Sequence, residues 1–395
     1  MTTAARPGAG ALRALGLFWA AVAVLLVVGL GTLQWLGPPP MGPVVEAPRM
    51  EGAKVEVPAA PAPPGAAPPA PVAPGATAPP AAVAPSAETA SLPPVQGPAG
   101  SAPVTGRIVP TPRAPGAPVP PADPALLEPS GLGDGTVLPR IAGGLAPMRA
   151  YAAGAPPLDA RPRVAILLAD FAMREADSEE ALKLLPPAIS LVISPYAPRQ
   201  ALARGGAQPG GLVARAREKG HELFVSLPME PRGYPLDDPG ERAMLTGATA
   251  ERNAQALRWA LSRVTGYVGA TGALGALRGE RFAASEQMGS VLEELGRRGL
   301  MYVDPRPEGR LPAPATTGAT AGPRRAVDVV VDEPAVRTEI DAKLARLEQL
   351  ARDRGTALGL ASAPTPVAVE RLAAWAALMA QRGVVLVPVS ALVAP

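Results

Sequence analysis

The chain has no cysteine and a single histidine, His221. Without cysteine, disulfides and thiolate metal sites are excluded, and the sequence carries no sign of a redox compartment. One histidine leaves no readable Ser-His-Asp triad, and no G-x-S-x-G segment is present. Aromatic residues make up 3% of the chain, which leaves few rings to stack on sugars. Runs of like charge are missing as well. A formal net charge of +3 is spread over interspersed acids and bases, with Arg324-Arg325 a short exception, so nucleic-acid binding finds no support.

What is abundant is proline and glycine, 53 and 42 of 395 residues, with most of the proline before Pro157. Residues 37–157 are rich in Pro, Ala, Gly and Val without periodicity. Such a segment cannot bury a core, and its prolines withhold backbone donors, so it is expected to be a disordered, extended linker. It would span on the order of 60 Å or more as a tether. Upstream, Ala14–Leu36 carries no charge and is long enough to cross a bilayer as a helix. Trp19 and Trp35 lie near its ends, and Arg6 and Arg13 precede it, which places residues 1–13 in the cytoplasm and the rest outside. A cleaved signal peptide is the competing reading. The apolar run exceeds the usual length for one, and no small-x-small site follows it directly. The expectation is a single-pass protein of the inner (cytoplasmic) membrane with a periplasmic, extracytoplasmic domain at 158–395.

From Arg161 the pattern changes. Apolar runs bounded by charge recur at 161–170, 189–194, 221–227, 267–271, 300–304, 326–332, 356–362 and 384–390, and read as buried strands. Between them lie helical segments. One has Thr249 as its N-cap and Gly266 beyond its end; another carries Ile340, Leu344, Leu347 and Leu350 on one face and stops at Gly355. Strand–helix alternation of this kind calls for a mostly parallel sheet, and eight strands favour a barrel over an open sheet.

An ordered set of segments covers nearly the whole domain: SPYAP (194–198), GHELFVSLPMEP (220–231), YPLDDPG (234–240), LTG (245–247), SRVTGYVG (262–269), Arg281-Phe282, LEELGRRGLMYVD (292–304) and VVLVPVSALV (384–393). In these the chain resembles the divergent polysaccharide deacetylase family. The resemblance implies an α/β fold, a polysaccharide-deacetylase-like (β/α) barrel, here preceded by a transmembrane helix and a Pro/Ala-rich linker.

Active members of the wider superfamily hold a divalent metal through an Asp and two His, with a second Asp as base for the metal-bound water. The corresponding Asp-Asp pair reads Ala169-Asp170 here, so the metal-position acid is kept and the base is lost. The first histidine position is Ala273 and the second is Ala363; four extra residues, Leu277–Glu280, precede Arg281-Phe282. No metal and no other cofactor is therefore expected. Asp170, Asp304 and Arg306, at strand ends, remain as catalytic candidates. Glu230, Tyr196, Tyr234 and Asp332 are candidates for ligand binding, with Glu333 beside Asp332. His221 begins a strand, on the face opposite a barrel's active site, and reads as structural. Gly205–Gly211 lacks the lysine of a P-loop. A pair of carboxylates such as Asp170 with Asp304 or Glu230 is the minimum for glycoside hydrolysis.

Three functions stay open: a catalytically degenerate module binding peptidoglycan or another envelope glycan, an active hydrolase with a relocated acidic site, and a structural module binding envelope proteins.

Overall fold

The computed structural model describes residues 112–202, 211–307, 309, 312 and 322–393. The expected membrane span Ala14–Leu36 lies outside them, as do most of the linker and most of Gly205–Gly211. No helix among the described residues is long and apolar enough to cross a membrane.

Ordered structure begins well before the boundary expected at residue 158. Residues 112–157 carry a 3-10 turn at Pro124–Leu126, an antiparallel hairpin of β1 (Leu127–Pro129) and β2 (Val137–Pro139), and a short helix α1 (Pro147–Ala150). They form a strap held by a few buried apolar side chains and by polar groups. Arg113 donates to Ala150 O (2.6 Å) and Ala152 O (2.8 Å), and the Tyr151 hydroxyl accepts from the Asp123 N–H (2.8 Å). Arg298 donates to Pro139 O and Glu128 Oε1, both at 2.8 Å. Composition could not show this, because a strap fixed by individual side chains needs neither periodicity nor a long apolar run. Gly154 passes so close to the Ala114 carbonyl that a Cβ would overlap it. Gly154→Ala is expected to cost about 2 kcal/mol or more through this clash. Faster proteolytic cleavage within 112–157 is the readout.

The remaining chain alternates strand and helix. In order it forms β3 (Arg163–Phe171), α2 (Glu175–Leu184), β4 (Ser190–Ile193), α3 (Arg199–Leu202), α4 (Leu212–Glu218), β5 (Leu223–Ser226), α5 (Ala250–Leu261) and β6 (Gly269–Thr271). It continues with α6 (Glu280–Ala283), α7 (Gln287–Arg297), β7 (Met301–Asp304), β8 (Arg324–Ala326), β9 (Val329–Val330), α8 (Arg337–Arg354), β10 (Thr356–Ala361), α9 (Pro366–Leu378) and β11 (Val385–Leu386). All pairings in this sheet are parallel, in the order β8-β7-β6-β5-β4-β3-β10-β9, with β11 against the start of β3. The apolar runs become strands because both faces of the sheet are covered. Val164, Ile166 and Leu168 pack under the helices, whereas Ala165, Leu167 and Ala169 point into a second cluster with Phe224, Met301 and Leu358. Two helix ends fall where the sequence says: the Thr249 hydroxyl accepts from the Arg252 N–H at 3.2 Å, and Gly355 ends α8 at φ 81°, whereas α5 stops at Leu261, short of Gly266.

The run 326–332, expected as one strand, is divided between the two edges of the sheet. The Val327 N–H donates to Asp304 O on the β7 side (2.9 Å), and the next amide, Asp328, donates to Leu358 O on the β10 side (2.8 Å). The sheet therefore curls until two successive peptide groups join its edges. The strap lies at the N-terminal ends of the strands, where Val119, Leu126 and Tyr151 enter the interior cluster. The opposite, C-terminal end is the mouth.

Candidate functional site

β3 reaches the mouth through an irregularity between Leu168 and Phe171. There Asp170 and Ala172 adopt φ of 52° and 71°, the left-handed region that costs a non-glycine residue about 1–2 kcal/mol. Strain of this kind clusters at functional sites. Alternation alone would turn Asp170 toward the helices with Leu168; instead its carboxylate bonds the Gly275 amide across the mouth. Its Oδ1 is buried with no partner among the described residues. Burial raises its pKa, and the Gly275 amide, Arg174 and Arg278 offset this in part. Ala169 belongs to the interior cluster and is fully buried.

The loop after β6 is short and tightly built. Ala273 is fully buried, its carbonyl accepting from Ser226 Oγ at 2.6 Å. Leu274 and Leu277 exchange both backbone hydrogen bonds at 3.0 Å, with Gly275 supplying the positive φ such a two-residue turn needs. The turn delivers Arg278, one of the four extra residues, into the mouth. Its guanidinium donates to Gly275 O (2.8 Å), to Ser362 Oγ (3.0 Å) and to Glu333, while Ser362 Oγ donates to the same Glu333 oxygen (2.6 Å). Arg278 thus spans from the Ala273 loop to the turn holding Ala363, and it is 5% exposed.

The other candidate acids, Asp332, Glu230 and Asp304, stand near the mouth with their oxygens already engaged. Asp332 accepts from the Ser362 N–H (2.8 and 2.9 Å) and the Ala363 N–H (3.4 Å), so it holds that turn; burial raises its pKa. Glu230 accepts from the Thr246 amide (2.6 Å) and hydroxyl (2.7 Å) and from Arg281 (2.9 Å). Burial pushes this carboxyl up, but those donors outweigh it and hold it below the ordinary value. Asp304 is 1% exposed and takes a two-pronged bond from Arg306, at 2.8 Å on each oxygen. The cleft surface is instead basic: Arg232, Arg278, Arg281 and Arg306 line a space of about 660 Å³, with Glu280 the one acid on its wall.

Tyr196 lies away from that wall, its ring 5.2 Å from the Trp259 ring and its hydroxyl accepting from the Arg242 N–H at 3.3 Å. Tyr234 is half-buried on the neighbouring loop. His221 is fully buried at the start of β5, at the opposite end of the sheet. Its Nδ1–H donates to Ile189 O at 2.8 Å, and burial depresses its pKa. Arg278 and Ser362 are residues that the sequence did not mark. The available signal was an arginine inside the four-residue insertion, directly after the loop that lacks its histidine.

The α/β fold, a parallel sheet curled around a filled interior, fits a deacetylase-like barrel. The chain belongs to the divergent polysaccharide deacetylase family, whose model matches residues 166–393. It is similar to the crystal structure of the uncharacterized protein ATU2773 from Agrobacterium tumefaciens C58. The two are 30% identical with a TM-score of 0.57, over 65% of this chain and 99% of that one. No curated protein matches the chain.

The divalent metal of the wider superfamily does not fit these residues. Two of its three ligand positions are alanine, and no group of three His, Cys, Asp or Glu among the described residues is placed to hold a metal. Arg278 puts a fixed cation beside the remaining Asp170, which opposes entry of a second one.

Proposed function

We propose that this protein is a catalytically degenerate member of its family that binds an envelope glycan at the barrel mouth without a metal. In this reading, Ala14–Leu36 anchors it in the cytoplasmic membrane and the domain faces the extracytoplasmic side. The observation that carries it is the Arg278 guanidinium, bonded between the two loops whose histidines are alanine. The family match supports a carbohydrate ligand. A relocated acidic hydrolase gains little support, since Glu230, Asp304 and Asp332 spend their oxygens on fixed protein donors.

The test is to incubate the full chain with hexa-N-acetylchitohexaose, with and without added zinc, and to follow binding by calorimetry and acetate release by assay. Binding without acetate release, unchanged by zinc or chelator, is expected. Zinc-dependent acetate release would overturn the proposal.

A further inference from the structure

Two acids at the mouth are buried beneath the arginines that bond them, so at those two places the group a ligand meets first is a cation. Asp304 lies under Arg306, whose side chain keeps 15% exposure, and Glu230 lies under Arg281, whose side chain keeps 54%. The third pair is reversed, with Arg278 at 7% side-chain exposure lying beneath Glu333 at 42%, and Arg232 is exposed on the same cleft, with no ion pair among the described residues. Each of the three paired arginines is held in place by a fixed acceptor before any ligand arrives. A guanidinium has five N–H donors in a planar fork, so the one carboxylate beneath Arg281 does not exhaust it.

From this geometry we infer that the mouth recognises an anionic glycan, one carrying carboxylates on its sugar rings, through Arg232, Arg281 and Arg306. The inference rests on the glycan-binding reading above and names its ligand class. Three guanidiniums around one open cleft suit a polymer with repeated charge better than a single small anion. The underlying and neighbouring acids, Glu230, Glu280, Asp304 and Glu333, offset much of the local field. That balance favours well-spaced, singly charged carboxylates over densely charged phosphates, and the forked donors supply the matching two-oxygen geometry.

The test uses the full chain and two probes of equal length, hexagalacturonate and hexa-N-acetylchitohexaose. Hexagalacturonate is expected to bind more tightly, with an affinity that falls as salt rises. Arg281→Gln and Arg232→Gln, both at exposed side chains, are each expected to weaken hexagalacturonate about tenfold, the size of one lost charge-assisted hydrogen bond. Both variants should keep the wild-type unfolding midpoint, which separates lost binding from lost folding. If the neutral hexamer binds as well, and both variants bind hexagalacturonate like the wild type, the anionic inference falls and the glycan-binding reading stands. If neither oligosaccharide binds, both fall.

Discussion

A chain beginning at Arg161 is expected to lose cooperative folding, whereas one beginning at Pro112 keeps it. Residues 112–157 supply Val119, Leu126, Leu138 and Tyr151, none more than 3% exposed. Burying a side chain of this size is worth about 1.5–3 kcal/mol, so their removal takes away more than about 5 kcal/mol. That is comparable to the whole stability of a typical domain. Polar losses add to this. Arg298 is 5% exposed and would give up its bonds to Glu128 and Pro139, keeping Glu294 as its acceptor. Urea titration of the two chains by circular dichroism checks the point. A sharp transition at the same midpoint for both would show that the strap docks without stabilising the barrel.

Glu222 is expected to be the most sensitive single buried acid. It is fully buried, and four donors converge on it: Ser190 Oγ (2.7 Å) and the Ser390 amide (3.0 Å) on Oε1, and Ser390 Oγ (2.5 Å) and the Ala153 amide (3.2 Å) on Oε2. It thereby ties the strap, the first residue of β4 and the closing turn Val389–Leu392 into one knot. Glu222→Ala strands those donors in an apolar interior and is expected to cost about 3–5 kcal/mol.

The pH dependence has a definite sign. Burial raises the carboxyl above its ordinary 4.5, and the surrounding donors only partly oppose it. A raised acid contributes stability that is fully present below its unfolded value and lost as pH rises through its folded one. The stability of wild type relative to Glu222→Gln should therefore be greater at pH 4 than at pH 8. The difference between the two proteins removes the matching contributions of Asp170 and Asp332. A difference that grows in favour of wild type as pH rises would show that the four donors hold the anion, and would overturn this reading.

The strands were legible because a parallel strand covered on both faces must be continuously apolar, as Val164–Ala169 is. Helix ends were legible at Thr249 and Gly355, where one residue's chemistry decides the geometry. The division of 326–332 was not, since Val327 and Asp328 differ only in which edge their amides serve. The strap was hidden for a related reason: Arg113, Tyr151 and Arg298 act singly across long separations. At the mouth, the motifs point to the right neighbourhood and the wrong surface. Asp304 and Glu230 were sought as groups for a ligand, but whether an acid faces solvent or lies beneath an arginine is set by tertiary packing. Arg278 was the residue least open to prediction, because its role depends on a turn at Leu274–Leu277 meeting a serine 84 positions away.

The strap also gives the domain a direction. Pro112 and Arg113 sit beside Arg163 and Ala391, at the end of the sheet away from Asp170 and Arg278. The described chain therefore enters the barrel at the end opposite the arginine cleft, and the mouth is built wholly from residues that follow the strap.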